Sequence, residues 1–446
     1  WTAASTFSKV FSEGPAAGVL PPENFRVVSY LPLSHVAAQM LDMVTPIVVT
    51  GSGNGIGPEM LERQYYTTWF ARPDALKGSL PKTLVAARPT VFLGVPRVWE
   101  KIKEAMQEVG RKNDPFKQAL AFWAKRHALT AAWQRQLGGD GSRSAAYLVA
   151  RSLILSKVKA ALGLDQCLVC ITGAAPMPRD VTEYFASLDI DVLDAYGLSE
   201  TSGGGCFNSP LVHRLGTVGP PIPGTEVKVD HRPSRDKPGE GEICLRGRHV
   251  FMGYLKEPEM SADVIDSEGW FHSGDVGFLD DDGMLHITGR IKELLITAGG
   301  ENIAPVPVEE KLRELCPALS NAVLIGDRCK YLICLFTAKT ILDPETGLST
   351  GRLAGDAISV SSAKTDFEAA AEAKIQGSAW QVHLQRAVDE YNRKFAISNA
   401  QRIKRFALLP EDFSERGGEL TATLKLKRLV VADKYAATID QLYSSM

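Results

Sequence analysis

The stretch Leu168-Val169-Cys170-Ile171-Thr172-Gly173-Ala174-Ala175-Pro176, followed by Arg179–Ser187 and Ile190–Ala195, decides the fold class. The apolar, β-branched run Leu168–Thr172 reads as a buried strand. Gly173–Pro176 reads as a turn, Arg179–Ser187 as a helix and Ile190–Ala195 as a second strand. Strand, glycine turn, helix and strand make a βαβ unit, which requires a parallel sheet with helices outside it.

Upstream, residues 97–162 are charged, alanine-rich and helix-periodic, as helices on a sheet face should be. Residues 26–50 and 84–94 alternate short β-branched runs with turn residues. Between them Gly51-Ser52-Gly53-Asn54-Gly55-Ile56-Gly57 runs into Pro58. It lacks the Lys-Ser/Thr end of a phosphate loop and the helix of a dinucleotide fingerprint, so the segment 51–64 reads as a surface insertion. Downstream, 224–289 is all-β, with short strands at Thr225–Val229, Gly241–Leu245 and Gly283–Thr288 separated by Pro-Gly or Asp-Gly turns. After Arg290 come a strand–loop–helix through Val308–Leu315, a hairpin around Gly326-Asp327-Arg328 and long amphipathic helices through 366–395. A boundary is expected near residue 291, dividing 1–290 from 291–446.

With 446 residues, 45% hydrophobic and 23% charged, the chain can bury two or three cores. Fifty basic and 52 acidic residues give a formal charge of −2, which excludes the footprint of a nucleic-acid binder. The seven scattered cysteines suit a reduced, cytoplasmic setting. Cys167 and Cys170 form a C-x-x-C inside an apolar run with no second pair to complete a zinc site, so they read as core. The most apolar stretch, Val27–Thr50, is interrupted by Pro32, His35, Asp42 and Pro46 and is not a transmembrane helix. The sequence opens on Trp1, without an initiator methionine, and is expected to be a fragment.

Three segments carry chemistry. Asp194-Ala195-Tyr196-Gly197-Leu198-Ser199-Glu200-Thr201 lies where a parallel strand ends, the edge at which open α/β sheets bind ligands. Tyr196 offers a face for a purine, Glu200 an oxygen ligand for Mg²⁺, and Thr201 a hydrogen bond to phosphate. Gly269-Trp270-Phe271-His272-Ser273-Gly274-Asp275, with Arg290 downstream, supplies a carboxylate for ribose hydroxyls and a charged donor. His272 is read as structural. The third segment, Leu420-Thr421-Ala422-Thr423-Leu424-Lys425-Leu426-Lys427-Arg428, taken alone reads as a solvated basic face.

Together, and in this order from Tyr30-Leu31-Pro32-Leu33-Ser34-His35 onward, these segments resemble the adenylate-forming enzymes: acyl-CoA synthetases, luciferases and peptide-synthetase adenylation domains. Gly94-Val95-Pro96-Arg97-Val98-Trp99-Glu100-Lys101 and the ending at 425–428 resemble the long-chain synthetases. Pro73–Gly78 and Gly300-Glu301-Asn302-Ile303-Ala304-Pro305-Val306 resemble their bubblegum branch.

The resemblance implies an α/β fold. Parallel and mixed sheets with flanking helices and a small β-barrel subdomain (224–289) would make up a large domain, followed by a small mobile α+β lid. It assigns Gly173, Ala174, Ala175, Pro176 and Tyr196 to the adenine, and Gly197, Leu198 and Ser199 to cofactor binding more generally. Glu200 goes to Mg²⁺, Thr201 to the α-phosphate, and Asp275 and Arg290 to the ribose. Lys292 becomes the hinge, Gly299 and Gly300 the CoA channel, His35 part of the acyl pocket and Lys425 the catalytic lysine. The implied activity is ATP-dependent long-chain fatty acid–CoA ligation through an acyl-AMP, with ATP, Mg²⁺ and CoA. Peripheral contact with endomembranes would suit such substrates. Two departures accompany it. The Ser/Thr/Gly-rich loop ending Pro-Lys-Gly is absent, so the chain is expected to lack the N-terminal part of its large domain, to be poorly stable and to have little or no activity. Leu424 also stands where many relatives carry glycine. The competing reading is a non-catalytic acyl- or nucleotide-binding isoform.

Overall fold

The structure, a computed structural model, describes residues 4, 6, 22–51, 65–139, 141, 144–298, 301–343, 348–421 and 424–444. Most of the glycine-rich segment, 52–64, and both Gly299 and Gly300 lie outside the described residues. Contacts divide the chain into two compact units, Trp1–Arg232 with Lys237–Ile287, and Pro233–Asp236 with Thr288–Met446.

In the first unit, β1 (Asn24–Ser29) pairs in parallel with β2 (Tyr65–Phe70). A second sheet has the order β3 (Val91–Leu93), β4 (Val169–Thr172), β5 (Val192–Tyr196) and β6 (Cys206–Phe207). β3, β4 and β5 run parallel, and β6 turns back antiparallel against β5. The βαβ unit is present as β4, the helix Arg179–Ala186 and β5. Strands buried on both faces read as continuous apolar runs, which is why Val169–Thr172 showed no alternation.

One face of this sheet packs on Phe92, Trp99, Phe185, Leu84 and Leu155, and the other on Phe25, Val27, Val91, Val169 and Leu193. Trp99 is the hub. Its ring meets Phe92 and Phe185 edge-on, at 5.3 and 4.9 Å between centroids, and its indole N–H donates to the Ile171 carbonyl at 3.3 Å. A Cβ on Gly94 would lie 2.6 Å from the Trp99 indole nitrogen. The spacing Gly94-x-x-x-x-Trp99 is therefore a packing requirement.

The β-rich segment is a four-stranded antiparallel sheet of β7 (Thr225–Asp230), β8 (Gly241–Gly247), β9 (Phe271–Leu279) and β10 (Leu285–Arg290). Its apolar face buries Ile243, Leu245, Phe271 and Leu285 together with Tyr196.

The second unit is α+β. The short strands β11 (Leu295–Ile296) and β12 (Asn302–Ile303) form a pair. The main sheet is β13 (Leu319–Ile325), β14 (Leu332–Ala338) and, parallel to β14, β17 (Ile403–Leu408). β15 (Thr340–Leu342) and β16 (Ser349–Leu353) form a separate pair. The helices Pro305–Leu315, Asp366–Ala373 and Ala379–Lys394 close one core around Trp380 and Phe336. A second cluster gathers Val323, Leu335, Phe413, Leu420 and Val431.

Candidate active site

At the carboxyl ends of β4 and β5, Gly173–Pro176 leaves the sheet between Thr172 and the helix Arg179–Ala186. Ala174 sits in the left-handed region at φ 72°, and a Cβ on Gly173 would lie 3.0 Å from the Ala195 carbonyl oxygen. The hydroxyl of Thr172, at the last position of β4, is buried without a hydrogen-bond partner among the described residues.

After β5, Gly197 begins a tight loop in which a Cβ would strike the Gly203 carbonyl oxygen at 2.5 Å. Ser199–Thr201 forms one 3₁₀ turn. Thr201 is fully buried; its Oγ1 accepts from the Leu198 N–H at 3.0 Å and lies 3.2 Å from the Leu198 carbonyl. In this state the hydroxyl locks the turn. Glu200 is half-buried, and its Oε1 accepts from the Tyr254 hydroxyl at 3.0 Å. The Glu200 carbonyl also accepts from the Phe251 N–H at 2.8 Å.

Tyr196 is buried at 7% exposure, and its phenol donates to Asp275 Oδ2 at 2.7 Å across 79 residues of sequence. Burial first, and then the Asp275 carboxylate, push the phenol well above its usual range. Ser273 tightens the same corner: its hydroxyl donates to the Ile243 carbonyl at 2.6 Å and accepts from the Asp275 N–H at 3.0 Å. Two of the segments singled out in the sequence therefore meet in one hydrogen-bonded corner, and Tyr196 lies in the apolar cluster of the β-rich sheet.

The amino-terminal motif comes to the same loop. A Cβ on Gly203 would lie 3.1 Å from Val36 and 3.3 Å from Met40, in the helical stretch that His35 begins. His35 Nδ1 accepts from the Ala37 N–H at 3.2 Å, the work of an N-cap, and burial lowers the imidazole pKa.

The second unit holds Arg290 at the end of β10, Lys292 exposed in the turn Ile291–Glu293, and Lys425. Lys425 is exposed on a turn closed by its own N–H to Thr421 Oγ1 at 3.0 Å and by Thr421 N–H to its carbonyl at 2.8 Å. Leu424 takes φ 63°, the left-handed region that glycine occupies without cost. The basic run is not uniformly solvated. Lys425 and Lys427 are exposed, whereas Arg428 forms a bidentate pair with buried Glu309, at 2.9 Å through Nη2, and donates to the Leu324 carbonyl at 3.1 Å.

Sequence reasoning missed Tyr254, Phe251 and Glu309. Phe251 packs edge-on against both Phe271 and Tyr254, which aims the Tyr254 hydroxyl at Glu200. The available signal was Gly253 before Tyr254, at φ 136° and with Ser261 Oγ 2.8 Å from where its Cβ would be.

The family model described as AMP-binding enzyme matches residues 2–255. Similar curated proteins include the long-chain-fatty-acid–CoA ligase ACSBG2 of Gallus gallus, 46% identical over 421 residues, covering 94% of this chain and 52% of that protein. The long-chain-fatty-acid–CoA ligase ACSBG1 of Homo sapiens is 42% identical over 440 residues, covering 96% of this chain and 57% of that protein. The chain thus spans about half the length of the curated relatives it matches. Among solved structures, the A domain of a carboxylic acid reductase from Segniliparus rugosus, in complex with AMP and a co-purified carboxylic acid, superposes with TM-score 0.64 at 21% identity over 99% of this chain and 58% of that one. ATP-bound MatB from Rhodopseudomonas palustris gives TM-score 0.58 at 17% identity over 97% of this chain and 64% of that one. These likenesses establish the adenylate-forming fold.

Proposed function

We propose, from the premise that this chain belongs to the AMP-binding enzyme family, that it carries much of the machinery of an ATP-dependent long-chain fatty acid–CoA ligase. The observation that carries this reading is the Tyr196–Asp275 hydrogen bond. It joins the strand-end loop read as the adenine and phosphate site to the carboxylate read as the ribose site. The names of the relatives supply the substrate class.

In this reading Gly173–Pro176 and Tyr196–Ser199 bound the adenine, and Asp275 and Arg290 take the ribose. Thr201 takes the α-phosphate, exchanging its internal bond to Leu198 for one to the nucleotide. Glu200 suits Mg²⁺, because a half-buried carboxylate steadied by a phenol is a hard oxygen donor. A bound Mg²⁺ would offset charge on the phosphates. Lys425 on its exposed turn is a mobile point charge of the kind that stabilises charge gathering on the α-phosphate. The fatty carboxylate attacks that phosphorus and pyrophosphate leaves; the CoA thiol then attacks the acyl carbon and AMP leaves. Lys292 is assigned to the hinge that exchanges the two half-reactions, Gly299 and Gly300 to the CoA channel, and the segment around His35 to the acyl pocket. Among the described residues no helix is long and apolar enough to cross a membrane; the peripheral contact with lipid that we assign rests on the fatty substrate.

The test is fatty-acid-dependent ATP–pyrophosphate exchange by the protein extended to the length of its relatives, with and without Lys425→Ala. Exchange with palmitate that Lys425→Ala reduces by at least about a hundredfold is expected. No exchange with any chain length of fatty acid would overturn the ligase in favour of a non-catalytic binding role.

A further inference from the structure

The helix Pro115–Arg135 carries apolar side chains on two sides, and the core uses one of them. Its later turns dock through the small residues Ala124, Ala128, Ala131 and Ala132, all buried. At about 100° per residue, Phe116, Ala119, Leu120, Phe122 and Trp123 fall on one arc about 160° wide, centred about 150° away from those alanines. That arc faces outward. Phe116 is 76% exposed, Phe122 71% and Leu120 40%, while Trp123 is half-buried.

The neighbouring chain leaves the same end uncovered. In the preceding helix, Pro96–Arg111, Ile102 is the last buried residue, and no residue between it and Ala124 is buried. Residues 111–120, across the connection and the first turns of the second helix, are all exposed, as is Val109 beside them. A run of large apolar side chains left in water together, on a helix whose other side is already packed, marks a docking face.

Charge selects what docks there. From Glu108 to Arg126 the sequence holds five basic residues, Arg111, Lys112, Lys117, Lys125 and Arg126, against two acidic ones, a local charge of +3 on a chain whose formal charge is −2. Both acids are engaged locally. Glu108 accepts from the Lys112 ammonium at 2.9 Å. Asp114 caps the second helix, accepting from the Lys117 N–H at 3.0 Å, and its other oxygen lies 3.2 Å from the Lys117 ammonium.

Lys117 and Arg126, both exposed, stand near the two ends of the apolar arc. Protein–protein interfaces deplete lysine from their cores, because its ammonium must be stripped of water there. A helix lying in a membrane interface accepts the same pattern. Its apolar arc enters the boundary between headgroups and acyl chains, while lysine and arginine stems run along it and keep their charges among the phosphates. Anionic headgroups add an attraction that neutral ones lack.

We propose that the outward arc of the helix Pro115–Arg135 docks on an anionic phospholipid surface, with Phe116, Leu120 and Phe122 seated below the headgroups and Lys117 and Arg126 on the phosphates. The proposal builds on the peripheral lipid contact assigned with the ligase reading and gives that contact its residues. Vesicle binding is read without catalysis, so failure of either leaves the other standing.

The experiment sediments the 446-residue chain with vesicles of phosphatidylcholine alone or with about one-third phosphatidylserine. Binding at least about tenfold tighter to the anionic vesicles, weakened as salt rises from about 0.1 to about 0.5 M, is expected. Phe116→Ser/Phe122→Ser should lower it at least about tenfold with an unchanged circular dichroism spectrum. Lys117→Gln/Arg126→Gln should remove most of the preference for anionic vesicles. Phe70→Ser, at a phenylalanine 82% exposed on β2, should leave binding intact. Equal binding to both vesicles, unchanged binding by Phe116→Ser/Phe122→Ser, or an equal loss in Phe70→Ser overturns the proposal. Should the phenylalanine variant fail to fold, Lys117→Gln/Arg126→Gln decides, and an unchanged preference there overturns it equally. The protein extended to the length of its relatives should bind as well; loss of binding on extension would assign the arc to another segment of the longer chain and overturn the lipid surface.

Discussion

Replacing Arg428 by methionine should loosen the second unit far more than loss of a surface cation would. The pair it makes with Glu309 is desolvated, with side chains 16% and 8% exposed. Glu309 Oε1 also accepts from the Leu324 N–H at 2.6 Å, so the carboxylate ties the helix Pro305–Leu315 to β13 while Arg428 ties both to the Lys425 turn. Without the guanidinium, Glu309 remains a buried charge with only that amide donor facing it among the described contacts. Breaking one side of a buried pair costs about 3–5 kcal/mol. At about 1.4 kcal/mol per tenfold, local opening should rise by about two to three and a half orders of magnitude. Hydrogen exchange followed by mass spectrometry on the whole chain reads this directly in peptides covering 305–315 and 319–325. Arg428→Lys should not restore protection, because an ammonium cannot bond both carboxylate oxygens in the plane of a fork. Arg428→Met with Glu309→Leu should restore most of it, because no charge is then left buried. An increase below tenfold in Arg428→Met, or full protection in Arg428→Lys, refutes the reasoning.

Two further outcomes follow from the first unit. Tyr196→Phe leaves the buried Asp275 carboxylate without its phenolic donor and should lower stability by about 1–3 kcal/mol in urea unfolding; a loss under about 0.5 kcal/mol would mean that the carboxylate is satisfied otherwise. His213 is 2% exposed, and burial lowers its pKa. The unfolded imidazole titrates near about 6.5, so below that pH the unfolded chain holds more protons and stability falls as pH falls through the lower folded value. His213→Gln should flatten the decline in urea midpoint between about pH 7 and pH 5.5, and an unchanged slope sinks the assignment.

What could be read in the sequence depended on whether the signal was local. The βαβ unit was legible because period and punctuation lie within one short segment: an apolar run at Val169–Thr172, a break at Gly173 and an amphipathic turn after Pro178. The antiparallel sheet was legible for the same reason, since its turn residues lie beside its strands. Side-chain partnership was not legible. Nothing near Arg428 in the chain reports that Glu309 waits 119 residues away, so a largely buried ion pair looked like part of a solvated face. Tyr196 posed the same difficulty: its residue type suits a nucleotide face, yet its ring is largely enclosed by Ile243, Leu245 and Phe271 and its hydroxyl is spent on Asp275.

Leu424 shows the converse case, in which a departure from pattern identifies a backbone requirement. At φ 63° an L-residue bears about 1–2 kcal/mol that glycine does not. The leucine side chain recovers part of that by packing, partly buried, against the cluster of Leu420, Val431 and Phe413. A glycine here would free the turn that carries Lys425. Leucine instead anchors it from beneath, one residue before the exposed ammonium, and that trade of backbone ease for a packed foothold follows from the left-handed φ and the local cluster together.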